Sequence, residues 1–315
     1  MTRRILRPGW IALAVCAGLL LLSNNGAANK RMVVFVSIAP QKYFVQQIGK
    51  DLVDVQLMVP PGADPHAYEP KPLQMIAISR AKLYLAIGGA FEDAWLKRIS
   101  AANPQMKVVY TDDGIAKLPM AAHHDEIQAQ AHNQDRTPPA GGSDTQEIHR
   151  HAQSGLDPHI WLSPPLVKIQ ARTITNALQG LDPAHRSVYE ANYGQFAASI
   201  DALDRQLKHL FAGKQGMQFM VFHPAWGYFA HAYGLQQLPI EFEGKAPKPA
   251  QLREVIEHAR AKGIKVIFVQ PQFSVKRAEL VAREIGGQVV FADPLAEDWL
   301  ANMRRIAERF EAALK

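Results

Sequence analysis

From Met32 onward the chain alternates short, wholly apolar runs with single helical segments, and it does so twice. Strands that are apolar throughout, each separated from the next by one helix, belong to a parallel sheet covered on both faces; a sheet with one wet face would instead alternate polar and apolar side chains. In the first series 33–38, 53–59, 83–87 and 108–110 read as strands. Helices are expected at 41–48, 72–81 and 92–101, with Leu73, Ile76 and Ala77 sharing one face of the second. In the second series the strands are 219–222, 238–242, 266–269 and 289–291. The helices are 226–233, 251–262, 276–285 and 299–314, the first three followed by Gly234, Gly263 and Gly286, where a left-handed cap is wanted. Between the two series stand a helix at 164–179, closed by Gly180, and one at 184–212 with Asp182 as N-cap and Pro183 at its first position. The latter would be roughly 40 Å long. The expectation is an α/β protein: two βα lobes with parallel sheets, at 29–181 and 213–315, joined by one long rigid helix at 182–212, with the ligand in the cleft between the lobes.

The first 28 residues are built differently. Arg3, Arg4 and Arg7 precede a mostly apolar run from Trp10 to Leu22, and Gly26, Ala27 and Ala28 offer small residues for cleavage, the pattern of a secretory signal peptide. The apolar run is shorter than the roughly 20 residues that span a bilayer. Cys16, the only cysteine, lies inside it, and Val15 before it is a poor match to a lipid-attachment signal, so a lipid anchor through Cys16 is the weaker alternative. Removal of the segment leaves no thiol, hence neither disulfides nor thiolate metal ligands. It also lowers the formal net charge from +6 to +3. The remaining basic residues are interleaved with acids, as in Lys97-Arg98 after Glu92-Asp93, and form no basic stripe of the kind that binds nucleic acid.

Chemistry is concentrated at four prolines. The tripeptide Asp-Pro-His occurs twice, as Asp64-Pro65-His66 and Asp157-Pro158-His159, and two further potential ligands, His223-Pro224 and Asp293-Pro294, follow apolar strands. Proline fixes its own φ and keeps the residue before it out of the helical region, so each pair makes a stiff elbow that can hold a ligand still. A lone histidine beside a strand is more often hydrogen-bonded structure than a ligand. Here the repeated tripeptide, the shared prolines and the placement of His66, His223 and Asp293 beyond strand carboxyl ends, where open parallel sheets bind ligands, mark His66, His159, His223 and Asp293 as one metal site. His185, His209, His231 and His258 lack this setting and read as helix-surface residues. Residues 111–155 interrupt the periodic pattern; His123, His124, His132, His149 and His151 stand there among Asp, Glu, Gln, Gly and Pro, an auxiliary loop able to gather metal weakly.

The segments Pro61 through Pro70, Asp157 through Pro164, Phe222 through Tyr228, Glu243 through Pro249, Pro271-Gln272-Phe273-Ser274 and Asp293-Pro294-Leu295 together resemble the periplasmic metal-binding components of ABC importers for zinc and manganese. The resemblance covers about 33–314 and implies two lobes bridged by a long helix, metal ligands at His66, His159, His223 and Asp293, a periplasmic location, and delivery to an ABC permease and its ATPase subunit by what is expected to be a monomer. Where zinc members often carry Glu before Pro-Gln-Phe, this chain has Gln270. Three imidazoles and one carboxylate suit Zn2+ as the transported ion, whereas manganese prefers more oxygen. A secreted zinc hydrolase would need an open coordination position and a base, for which Glu69 is the one candidate; no His-Glu-x-x-His helix is present. A surface adhesin is the third alternative, and the expectation is a binding protein and not an enzyme.

Overall fold

A computed structural model describes residues 31–120, 155–241 and 247–314. The expected signal peptide and the histidines His123, His124, His132, His149 and His151 lie outside the described residues. Two four-stranded parallel sheets are present with the same strand order. The first runs β2-β1-β3-β4, from β1 (Met32–Val36), β2 (Val53–Leu57), β3 (Leu83–Ala86) and β4 (Lys107–Tyr110). The second runs β6-β5-β7-β8, from β5 (Gln218–Val221), β6 (Gln236–Pro239), β7 (Val266–Val269) and β8 (Gln288–Phe291). Register follows the apolar runs: Met32 pairs with Val53 and Val34 with Leu83 in the first sheet, Phe219 with Gln237 and Met220 with Ile267 in the second.

Helices α1 (Ala39–Gly49), α2 (Pro72–Ile78) and α3 (Ala90–Ala102) connect the first sheet's strands. Helices α6 (Gly227–Tyr233), α7 (Pro249–Ala261) and α8 (Val275–Glu284) do so in the second, and α9 (Trp299–Ala313) ends the chain. Between the sheets lie α4 (Pro164–Leu181) and the long α5 (Arg186–Leu210). At 25 residues α5 is about 38 Å long and packs on α4, on α1 of the first lobe and on α9 of the second. Both faces of each sheet are covered, as wholly apolar strands require: Val34 and Val36 join a core that continues through Ile174, Tyr189 and Leu203 to Phe219 and Phe310, while Phe35 and Tyr84 face Phe91 and Ile99 on the other side. In the second sheet Met220 and Ile267 pack against Val255 and Ala259 of α7.

Three local expectations differ. On α2, Leu73 and Ile76 are 79% and 60% exposed, because the helix turns Gln74 toward the sheet: its Nε2 donates to Leu57 O and Met58 O, while its Oε1 accepts from Lys71 N and Tyr68 OH. A polar residue with four backbone and hydroxyl partners outweighs two aliphatic side chains in setting which face is inward. Asp182 caps a single 3-10 turn, Pro183–His185, that precedes α5, and not α5 itself; its carboxylate accepts from His185 Nδ1 and Tyr189 OH, each at 2.7 Å. Strand β6 starts two residues earlier than its apolar run, at Gln236, and its ladder continues to Glu241, whose N–H donates to Phe222 O.

Candidate metal centre

His66, His159 and His223 converge. Each offers a ring nitrogen, and these three atoms lie within 4.8 Å of one another. Ring centroids are 6.4 Å apart for His66 and His159, and 5.4 Å apart for each of these with His223. A tetrahedral zinc with bonds of 2.0–2.1 Å needs its nitrogens about 3.3 Å apart, a spacing inside that span.

The elbows are built as their sequence requires, with one addition. In Asp64-Pro65-His66 the Asp64 Oδ1 accepts from His66 N at 2.9 Å, and Asp157 Oδ1 accepts from His159 N at the same distance. An aspartate that bonds the backbone two residues on closes an Asx turn, which together with proline fixes the loop. Asp157 Oδ1 also lies 2.7 Å from His159 Nδ1, holding backbone and ring with one atom. His223 follows β5 directly; its Nδ1 lies 2.6 Å from Glu241 Oε2, its ring stacks on Phe273 at 5.0 Å, and its carbonyl accepts from Gln270 Nε2. A carboxylate at Nδ1 selects the tautomer with the proton there and turns the lone pair of Nε2 toward the ion. His223 Nε2 is buried without a hydrogen-bond partner among the described residues.

His159 and His223 are each 5% exposed, whereas His66 sits on the exposed loop after β2. The crowded cleft mouth strips water from the His66 ring and, with His223 beside it, lowers its pKa; Asp64 and Glu241 pull the other way. The rings line one pocket together with Ser37, Glu92, Trp161, Gln270 and Phe273. Burial raises the pKa of Glu92, against hydrogen bonds from Ile87 N, the Ser37 hydroxyl and Gly89 N, so this carboxyl ties the ends of β1 and β3 to the start of α3.

Asp293 does not fall within the group of three. Its Oδ1 accepts from Leu295 N at 2.9 Å and from Gln272 Nε2 at 3.0 Å. Asp293-Pro294-Leu295 is therefore a third copy of the same Asx elbow, in which Asp293 occupies the place of Asp64 and Asp157 and Leu295 the place of the histidines. Of the remaining described histidines, His209 and His231 are exposed on helices, His185 bonds Asp182 and His258 bonds Gln218. Glu241, which fixes the His223 ring, has no local signature and becomes visible only once β6 is known to lie beside β5; Phe273 falls in the Pro271-Gln272-Phe273-Ser274 segment, which does not announce its stacking on that ring.

The family described as ZnuA, zinc-uptake complex component A, periplasmic, matches residues 34–313. The high-affinity zinc uptake system protein ZnuA of Bacillus subtilis (strain 168) is 28% identical over 291 residues, 89% of this chain and 86% of that protein. Its counterpart in Paracoccus denitrificans (strain Pd 1222) is 29% identical over 300 residues, 91% and 88% of the two chains. A crystal structure of ZnuA is similar with a TM-score of 0.78 and 40% identity, covering 90% of this chain and 100% of that one. A ZnuA deletion mutant with zinc bound has the same TM-score and identity, covering 90% and 98%. Matched over nearly the whole length that carries both sheets and all three histidines, the chain belongs to the ZnuA family of periplasmic zinc-uptake components.

Proposed function

We propose that this protein binds Zn2+ outside the cytoplasm, after removal of its signal peptide, and delivers it as a monomer to an ABC permease and its ATPase subunit. The observation that carries the reading is the state of His223: a ring buried to 5% exposure, its Nδ1 committed to Glu241 and its Nε2 facing two other imidazoles with no partner of its own among the described residues. Leaving a buried acceptor unpaired costs about 1–3 kcal/mol, a cost that a coordinated cation removes. His66, His159 and His223 are the proposed core ligands. Asp293 is the proposed fourth ligand through Oδ2, drawn in by the ion, since its Oδ1 is committed to the elbow and Gln272.

Three imidazole nitrogens favour zinc over manganese, and the carboxylates of Asp157 and Glu241 hold Nδ1 atoms of the buried rings instead of adding oxygens to the ligand set. A hydrolase would require a base beside the ion's open position. Glu69 is exposed on the loop after His66, and the buried Glu92 is tied down by three donors, so cargo binding suits the site better than catalysis. Among the described residues no helix is long and apolar enough to cross a membrane. Competition titration of the purified protein with zinc and with manganese tests the reading: one tight zinc per chain and much weaker manganese is expected, and equal or reversed preference would refute it.

A further inference from the structure

The segment that carries His159 belongs by sequence to the first lobe, 29–181, yet its side chains and carbonyls are bonded to residues of the second. Tyr228 OH donates to Asp157 O at 2.8 Å and accepts from Leu118 N at 3.0 Å. Trp161 Nε1 donates to Pro294 O and Trp299 Nε1 to Trp161 O, each at 2.7 Å. At the start of α6, a Cβ added to Gly227 would lie 2.7 Å from Asp157 Oδ2 and 3.2 Å from Gln237 Nε2. No real Cβ tolerates the first of these distances. Asp157 is 1% exposed, and its Oδ1 is fixed by His159 N and Nδ1, so its short side chain has nowhere to move without releasing one of them.

Building on the metal-site reading above, we infer that Gly227 and Tyr228 are positioning residues for His159: the missing side chain at 227 and the hydroxyl at 228 seat Asp157, and Asp157 aims the imidazole. The loop from His223 to Tyr228 then carries one ligand and, a few residues on, the seat of another. Trp226 anchors this loop: it is 1% exposed, lies 5.1 Å from Phe310 of α9, and its N–H donates to Gln237 Oε1. Burial pushes the Tyr228 phenol up to about 12, so its proton stays available to Asp157 O across the working pH range. His159 and His223 are by this route a rigid pair set before the ion arrives, and His66 is the ligand left on an exposed loop. Positioning a ligand through its outer partner is worth about 10–100-fold in metal affinity.

The test is a double-mutant cycle on zinc affinity with Gly227→Ala, Tyr228→Phe and Asp157→Asn. Gly227→Ala is expected to weaken zinc about 10–100-fold and Tyr228→Phe less, and neither should weaken it further once Asp157 is Asn, because both act through that carboxylate. The ring Nδ1–H resonance of His159, expected in the metal-free protein from the contact with Asp157 Oδ1, should be lost in Gly227→Ala. Wild-type affinity in Gly227→Ala, or losses that multiply with that of Asp157→Asn, would overturn the inference. Should Gly227→Ala melt at a much lower temperature without metal, Tyr228→Phe, which removes one oxygen and keeps the ring, replaces it in the cycle: a loss absent once Asp157 is Asn supports the inference, and a loss that multiplies overturns it. His159→Ala separates the two levels: retained tight zinc there refutes the metal site itself, whereas its loss alongside an unaffected Gly227→Ala refutes only the positioning role.

Discussion

Glu241 Oε2 lies 2.6 Å from His223 Nδ1, with both side chains more than nine-tenths shielded from water. The pair forms because the β6 ladder runs on past its apolar residues, the N–H of Glu241 bonding Phe222 O at the point where β5 delivers His223. A carboxylate there strengthens the imidazole as a donor and fixes its plane. Glu241→Ala is therefore expected to weaken zinc about 10–100-fold in a chelator competition titration, with the fold intact. Unchanged affinity would mean that Phe273 stacking alone orients the ring.

The four candidate ligands should not contribute equally. Alanine at His66, His159 or His223 removes a donor from the preassembled group and should cost more than about 100-fold, beyond the range of an outer partner. Asp293→Ala should cost less than any of the three, because its Oδ1 is already engaged by Leu295 N and Gln272. Asp293→Ala matching the histidine variants in the same titration would show that Oδ2 is a full ligand.

Acid should release the ion. Zinc needs neutral imidazole, and free histidine titrates near about pH 6.5. Water stripped from His66, together with the nearby His223, lowers the His66 pKa below that of an unfolded chain. The unfolded state thus binds more protons in the acid range, so the metal-free fold gains stability as pH rises through that range and loses it as pH falls below the unfolded value. Thermal melts of the metal-free protein at pH 5.5 and 7.5 should show the drop, and His66→Asn should shrink it. Zinc binding should weaken across the same interval.

The auxiliary histidines yield a prediction about deletion. The ends of the segment are already joined: Pro119 bridges Leu156, and Met120 N donates to Gly155 O at 2.7 Å. Removing 121–154 and joining these ends should leave the tight site unchanged and abolish weak binding at high zinc, because no apolar periodicity in that stretch feeds a core. Calorimetry that finds the tight site lost, or the weak sites kept, would refute the assignment.

The two sheets were legible because strands such as 266–269 are apolar on both faces and Gly234, Gly263 and Gly286 follow the ends of α6, α7 and α8 in the left-handed conformation. Gly180, expected to close α4, instead lies inside that helix, which runs on to Leu181. Leu73 and Ile76 misled because apolar spacing does not reveal that Gln74 has four partners across the helix. Within the site, the Asp-Pro-His elbows announced His66 and His159, and the strand end announced His223. The same proline signal pointed to Asp293, whose Oδ1 closes its own turn on Leu295 N, which leaves Oδ2 as the atom for the proposed fourth bond. The partners of the His223 ring were out of reach from sequence for a different reason: Glu241 meets His223 across 18 residues, and Phe273 across 50, through strand pairing that no local pattern specifies.

Zinc K-edge X-ray absorption of the mature protein loaded with one equivalent of metal tests the three-histidine centre most directly. The expected spectrum has a light-atom shell at about 2.0–2.1 Å with the multiple scattering of three imidazoles, reduced to two in each of His66→Ala, His159→Ala and His223→Ala. A shell dominated by oxygen, or an imidazole count that stays the same when any one of these residues is replaced, would contradict it.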